Sequence, residues 1–309
     1  MTRKLWPWLR LIIGLGILAV LLWWHSTDAF VDALRAIDGP AIAAALGIGL
    51  LTTVLSAARW QVVARRLGLR LPLARAVADY YRSQFLNAVL PAGVLGDVHR
   101  AVSHGHRSGD VGRGVRAVVL ERVAGQAVLA AAALAVLFTR PALLSALAPA
   151  LIPATILLSL LAGVFVLVRR RASTFTDVRP VLDAWPSVVA LSAGTLAGYL
   201  ALFLVAARSA GATAPIADLV PLLLLALLVM ALPVNVGGWG PREAVLSLAF
   251  GAAGLGSAQG LTVAVVYGVL TFVASLPGAA TLLLQDRKAI PERADEVRQD
   301  VPALAGRGQ

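Results

Sequence analysis

LPAGVLGDVHRA, Leu90 to Ala101, and LPVNVGGWGPRE, Leu232 to Glu243, are two versions of one pattern. With the Leu-Pro pairs aligned, Gly96 falls on Gly238 and Arg100 on Arg242, so a glycine follows each proline by five residues and an arginine by nine. Proline removes a backbone donor and breaks a helix, and glycine lets the chain turn tightly or approach a partner. A break of this kind leaves free N–H and C=O groups that must find a ligand, water or a side chain. Both copies are flanked by long apolar runs, so these breaks are expected inside a membrane. There, irregular backbone is tolerated only when buried in protein or lining a wet cavity.

The composition supports a membrane setting. Of 309 residues, 59% are hydrophobic and 14% charged, with a mean hydropathy of +0.82. A soluble domain carries about 25% charged residues, because its surface faces water. Several apolar runs reach the roughly 20 residues needed to cross a bilayer core as a helix. There is no cysteine, and only four histidines, which argues against disulfides and against zinc or iron–sulfur sites. The net charge of +11 comes almost wholly from arginines between apolar runs, the positive-inside pattern, and not from a patch interleaved with aromatics. Nucleic acid is therefore not an expected partner.

Full spans are expected at about 6–24, 40–58, 117–138, 143–168, 187–207 and 261–284. The first ends in Trp23, Trp24 and His25 with no small-residue cleavage site, so it reads as an uncleaved span and not a signal peptide. Asp28, Asp32 and Asp38 precede the second span, and Arg59, Arg65, Arg66, Arg70 and Arg75 follow it. That asymmetry places the N-terminus and the 59–75 segment on the cytoplasmic side. The 77–95 stretch contains Asp79, Arg82, Gln84 and Asn87 and leads into an arginine-rich stretch, 97–116. If 77–95 crossed the membrane, those arginines would lie outside; a re-entrant segment removes the conflict. Treating 216–257 as the matching element, entered from the other side, returns Arg287 and Lys288 to the cytoplasm.

The expected fold is thus an all-α polytopic membrane protein with about six full transmembrane helices and two re-entrant broken-helix elements in an inverted repeat. A count of seven to eight spans, with 216–236 and 243–257 crossing separately, keeps the same sidedness at both ends. Residues 1–285 form one transmembrane domain with repeats at about 40–138 and 187–284, and 286–309 form a short cytoplasmic tail. Inverted repeats with broken helices at corresponding positions point to a transport site near the midplane.

Five further stretches stand out: ARW (Ala58–Trp60), QFLNAVLP (Gln84–Pro91), GDVHRA (Gly96–Ala101), LERVAG (Leu120–Gly125) and LPVNVGGWGPREA (Leu232–Ala244). In these the sequence resembles the transmembrane, flippase-like region of lysylphosphatidylglycerol synthases, which occurs in stand-alone proteins too. The resemblance runs from about 40 to 284, with Glu121 where the family often has Asp. It implies lipid translocation across a bacterial cytoplasmic membrane. Fewer than 30 residues follow Leu284, so the aminoacyl-transferring domain of full-length synthases is not expected here, and the chain is not expected to be an enzyme.

Ionisable residues inside membrane segments are costly and are functional hypotheses by default. Arg100 and Arg242 are the first choices, because a guanidinium fork suits a lipid phosphate and stays charged when desolvated. They are expected to grip that phosphate from opposite sides of the bilayer. Asp97, Glu121, Arg122 and Glu243 would pair with them or with one another, a network that could equally be purely structural. Asn87 and Asn235 are suited to satisfying backbone groups at the breaks. His99, His104 and His106 near Asp97 and Asp110 fit no metal-ligand spacing and are expected in a solvated cytoplasmic loop. No cofactor is implied. The expected ligand is an anionic or polyisoprenoid-linked lipid. The alternative is a non-transporting module that presents lipid to a separate lipid-modifying enzyme, and pairing into a homo-oligomer is compatible with either.

Overall fold

The computed structural model describes residues 34–90, 94–138, 163, 179–231 and 240–282. The expected span at 6–24, that at 143–168 apart from Gly163, Asn235 and the tail from 286 lie outside the described residues. Those described are helical and contain no strand. In order, the helices are α1 (Gly39–Arg66), α2 (Leu73–Val89), α3 (Leu95–Arg107), α4 (Val111–Phe138), a single turn α5 (Arg179–Leu182), α6 (Trp185–Ser209), α7 (Ile216–Met230), α8 (Pro241–Ala252) and α9 (Ser257–Ser275). Helices α1, α4, α6 and α9, the last continued to Leu282, are long and apolar enough to cross a membrane. Leu46, Leu50 and Leu51 on α1 and Leu248 on α8 point outward, as lipid-facing side chains do. The chain is a multi-pass helical membrane protein.

Local sequence sets the ends of these helices. At the start of α1, the Asp38 carboxylate accepts from the Ala41 N–H at 2.9 Å, with Pro40 in the first turn. Its end is a Schellman motif: Leu69 N–H donates to Ala64 C=O at 2.9 Å and Gly68 N–H to Arg65 C=O at 3.0 Å. The turn needs the left-handed conformation that Gly68 adopts at φ 78°. The end of α6 repeats it, with Gly211 at φ 80° and Ala212 N–H donating to Ala207 C=O at 2.9 Å. Helices α3 and α8 also end this way, at Gly109 and Gly254. After α1 and α6 the chain restarts from a proline, Pro72 before α2 and Pro215 before α7.

Among the described residues, the two halves therefore run through the same order of helices: long, short, short and long. Contacts between the halves come in exchanged pairs. Helix α1 packs on α6; α1 on α9 is matched by α6 on α4; α2 on α9 is matched by α7 on α4. Small residues permit these approaches, as membrane helix packing requires. A Cβ on Gly198 would collide with Thr52 across the α1–α6 contact, and one on Gly49 with Ala274 of α9.

The short helices differ in character. From Leu219 to Val229, all but Val220 on α7 are buried, so α7 is a core helix apolar on nearly every side. At 15 residues it reaches about 22 Å, less than a bilayer core. Helix α2 instead buries Asp79, Tyr80, Arg82 and Ser83.

Two expectations need correction. The 97–116 stretch is not a loop: α3 runs through it, and α4 starts at Val111 and not near 117. Gly96, Arg100, Ala101, His104 and Gly105 form one buried face of α3 at helical spacing, which the count of arginines obscured. His104 is accordingly buried, edge-on to Trp60 with ring centroids 5.3 Å apart. Nor does α1 stop at residue 58; it continues to Arg66 and carries Arg59 inside the protein.

Gly198→Leu should force α1 and α6 apart and cost about 1–3 kcal/mol, the usual range for overpacking. The check is a lowered melting temperature of the purified protein in detergent, while the same change at Gly47, where no neighbour lies within 4 Å, should leave it unmoved.

Candidate functional site

A chain of shared charges joins α1, α2, α3 and α4. Glu121 on α4 has no exposed side-chain surface. Its Oε1 accepts from Arg59 Nε at 3.0 Å, from Arg59 Nη2, and from the Tyr80 hydroxyl at 3.2 Å. Oε2 accepts from Arg100 Nη2 at 3.1 Å. The same Arg100 nitrogen donates to Asp97 Oδ1 at 2.9 Å, which also accepts from Ser83 Oγ at 3.0 Å. Asp97 Oδ2 accepts from Arg122 Nη2 at 2.6 Å and Asn87 Nδ2 at 3.2 Å. Asn87 Oδ1 in turn accepts from the Gly96 N–H at 2.7 Å, holding the first turn of α3 against α2. Gly96 has no room for a Cβ, which would meet the Ser83 carbonyl.

Arg100 is enclosed. Its guanidinium lies 4.5 Å from the Trp60 ring centroid and 4.3 Å from that of Tyr80. Those rings explain why its Nε and Nη1 have no hydrogen-bond partner: a cation over an aromatic face is stabilised without one. A second buried ion pair fixes the other end of α3, where Asp79 accepts from Arg82 at 2.8 Å and Arg107 at 2.5 Å. Burial and then the charge of Arg107 push the pKa of His104 below its ordinary value, with Asp79 opposing.

The surroundings of Arg242, in the second Leu-Pro pattern, are simpler. Glu243 accepts from Arg242 Nε at 3.0 Å and from Arg242 Nη2, and its Oε2 accepts from the Gly240 N–H at 2.6 Å. That carboxylate closes the N-terminus of α8, and Gly240 makes the turn into it at φ 108°. Arg242 faces the Tyr267 ring at 5.6 Å, and Tyr267 stacks on Phe203 with centroids 3.4 Å apart.

Between these two systems lies a cavity of about 330 Å3. Among the described residues, three arginines border it: Arg59, Arg122 and Arg242. Tyr80, Tyr199, Tyr267, Gln84, Asn87, Gln126 and Ser192 add polar surface, and Leu129, Leu196, Leu202, Leu227, Met230 and Phe272 supply apolar wall. The cavity thus offers cations and hydrogen-bonding groups to one part of a ligand and hydrocarbon to another, the requirement of a lipid.

Of the residues singled out from sequence, Arg242, Arg122 and Asn87 line this cavity. Arg100, Asp97, Glu121 and Glu243 stand behind the wall and hold it. Arg100 has 0% side-chain exposure, whereas Arg122, beside the cavity, has 39%. Sequence reasoning missed Arg59, Gln126 and the three tyrosines. Arg59 had one legible signal, since Arg65 and Arg66 already supply the basic last turn of α1 and leave it two turns inside.

Glu121→Ala should leave Arg59 and Arg100 buried without their shared carboxylate, at a cost of about 3–5 kcal/mol. A melting curve in detergent reads this directly, and an unchanged melting temperature would contradict the assigned pairing.

No curated protein and no solved structure matches the chain. Residues 11–278 match the family described as the lysylphosphatidylglycerol synthase TM region, and the chain belongs to that family.

Proposed function

We propose that the chain is a transporter, and not an enzyme, that moves a lipid with an anionic headgroup across the membrane through the cavity between its halves. The observation that carries this reading is the cavity wall itself, where Arg59, Arg122 and Arg242 face the same space as a run of leucines. A charged headgroup crossing hydrocarbon unaided meets a large desolvation cost, and fixed guanidiniums with hydroxyl and amide groups replace its water. Family membership supports a role in lipid metabolism or transport.

Matched helix ends, exchanged contacts and the aligned Leu-Pro…Gly…Arg patterns support an inverted repeat. Repeats of this kind allow one half to rock against the other around a fixed site. On this reading the cavity opens in turn to each leaflet, in a bacterial cytoplasmic membrane with both termini inside. Arg122 and Arg242 touch the headgroup. Arg100 keeps its place in the mechanism as a positioning residue, because it ties Asp97 to Glu121 and so sets where Arg59 and Arg122 point.

Purified protein in liposomes carrying fluorescent phosphatidylglycerol tests this. Wild type should expose inner-leaflet probe to an added quencher, and Arg122→Gln plus Arg242→Gln should reduce the rate at least tenfold, the order expected from losing charge-assisted contacts. The double variant must still melt within a few degrees of wild type. If folded wild type moves no lipid at all, transport fails and presentation of lipid to a separate enzyme takes its place.

A further inference from the structure

We infer that the cavity is matched to a single negative charge, and so selects a lipid phosphodiester over a phosphomonoester dianion. The inference rests on the proposed function for the cavity's role, and deepens it by naming the charge class of the ligand.

The charges around the cavity do not balance. Arg59, Arg100 and Arg122 share two carboxylates, Glu121 and Asp97. Three positive charges against two negative leave a surplus of one (3 − 2 = +1). The surplus is expressed at Arg122, because the other two guanidiniums are held between partners. Arg59 is bound by Glu121 and Ser192, and Arg100 by both carboxylates and two aromatic rings. Arg122 has one carboxylate contact, a buried Nε without a partner, and a side chain that is 39% exposed and borders the cavity. Across the cavity Arg242 is already matched by Glu243. Among the described residues, Tyr80, Tyr199 and Tyr267 are the other titratable groups on the wall, and α7 with its C-cap contributes Leu227, Met230 and Ala231.

A monoanion beside Arg122 brings this system to neutrality. A dianion would leave one negative charge in surroundings of low dielectric, where unbalanced charge is most costly. A second feature sits one helical turn along α4. The Gln126 Oε1 is buried, borders the cavity and has no partner, so it awaits a donor. A diester headgroup bearing a hydroxyl or ammonium group places a donor beyond its phosphate; a bare phosphate dianion has none to offer.

The test is binding, which needs no translocation. Purified protein in detergent is titrated with short-chain phosphatidylglycerol, short-chain phosphatidic acid and acyl-free glycerophosphoglycerol, at pH 5.5 and 8.5. Phosphatidic acid passes from monoanion to dianion between these values, since a phosphomonoester's second pKa is about 6. Its affinity should fall about tenfold or more as pH rises, an effect of one unbalanced charge. Phosphatidylglycerol keeps one charge throughout and should bind equally at both values, which also controls for titration of the protein, His104 included. Gln126→Glu places a carboxylate one turn from Arg122 and cancels the surplus without removing the arginine; phosphatidylglycerol affinity should drop about tenfold. Phosphatidic acid binding better at pH 8.5, or Gln126→Glu leaving phosphatidylglycerol affinity intact, would overturn the inference. Acyl-free glycerophosphoglycerol binding as tightly as the lipid would overturn the lipid as its source. Selective phosphatidylglycerol binding by a protein that moves no lipid would sink transport and leave the charge match standing. Transport indifferent to phosphate charge would do the reverse.

Discussion

A carboxylate with no exposed surface, deep among membrane helices, costs several kcal/mol to bury, and Glu121 survives there because four donor groups converge on its two oxygens. Those donors come from three elements: Arg59 from α1, Tyr80 from α2 and Arg100 from α3. Each helix must approach closely enough to supply its share, so the requirement to satisfy one buried charge fixes the mutual positions of four helices. Asp97 extends the same constraint to Arg122 and, through Asn87, to the backbone that begins α3.

The cavity follows from that constraint. Guanidiniums can border an internal space only if their other sides are held, and the carboxylates hold them from behind. Residues that only bear the load, Glu121 and Arg100, therefore differ from one that faces the cavity, Arg122, while Arg59 and Tyr80 do both. Removing the first kind should unfold or loosen the protein, and removing the second should spoil what the cavity does while leaving the fold. The second half reaches a similar end with fewer parts, since one glutamate both caps α8 and anchors Arg242.

Much of the architecture was legible because its causes are local. Apolar run lengths marked α1, α4, α6 and α9 as spans. Prolines marked the ends of the short helices, Val89 before Pro91 and Met230 before Pro233, and the helix Ile216–Met230 begins where the expected element at 216–257 begins. Boundaries failed where charge and helix overlap. Arg59 and the 97–116 stretch were read as cytoplasmic because arginine ordinarily marks the end of a span, and a buried ion pair removes that meaning. No periodicity rule distinguishes an arginine facing water from one facing a carboxylate 62 residues away.

The sequence by itself therefore determined that this is a multi-pass helical membrane protein, that a short helix ends just before each Leu-Pro pattern, at Val89 and at Met230, and that Arg100 and Arg242 hold corresponding positions in the two aligned patterns. These features depend on composition, helix length and backbone chemistry, which act over a few residues. Only the tertiary structure decided that the two arginines have different surroundings. Arg100 is closed between Trp60 and Tyr80 with two carboxylates, while Arg242 reaches the cavity with Arg59 and Arg122. That distinction depends on which helices pack together, and partners so distant in sequence leave no local signal of their meeting.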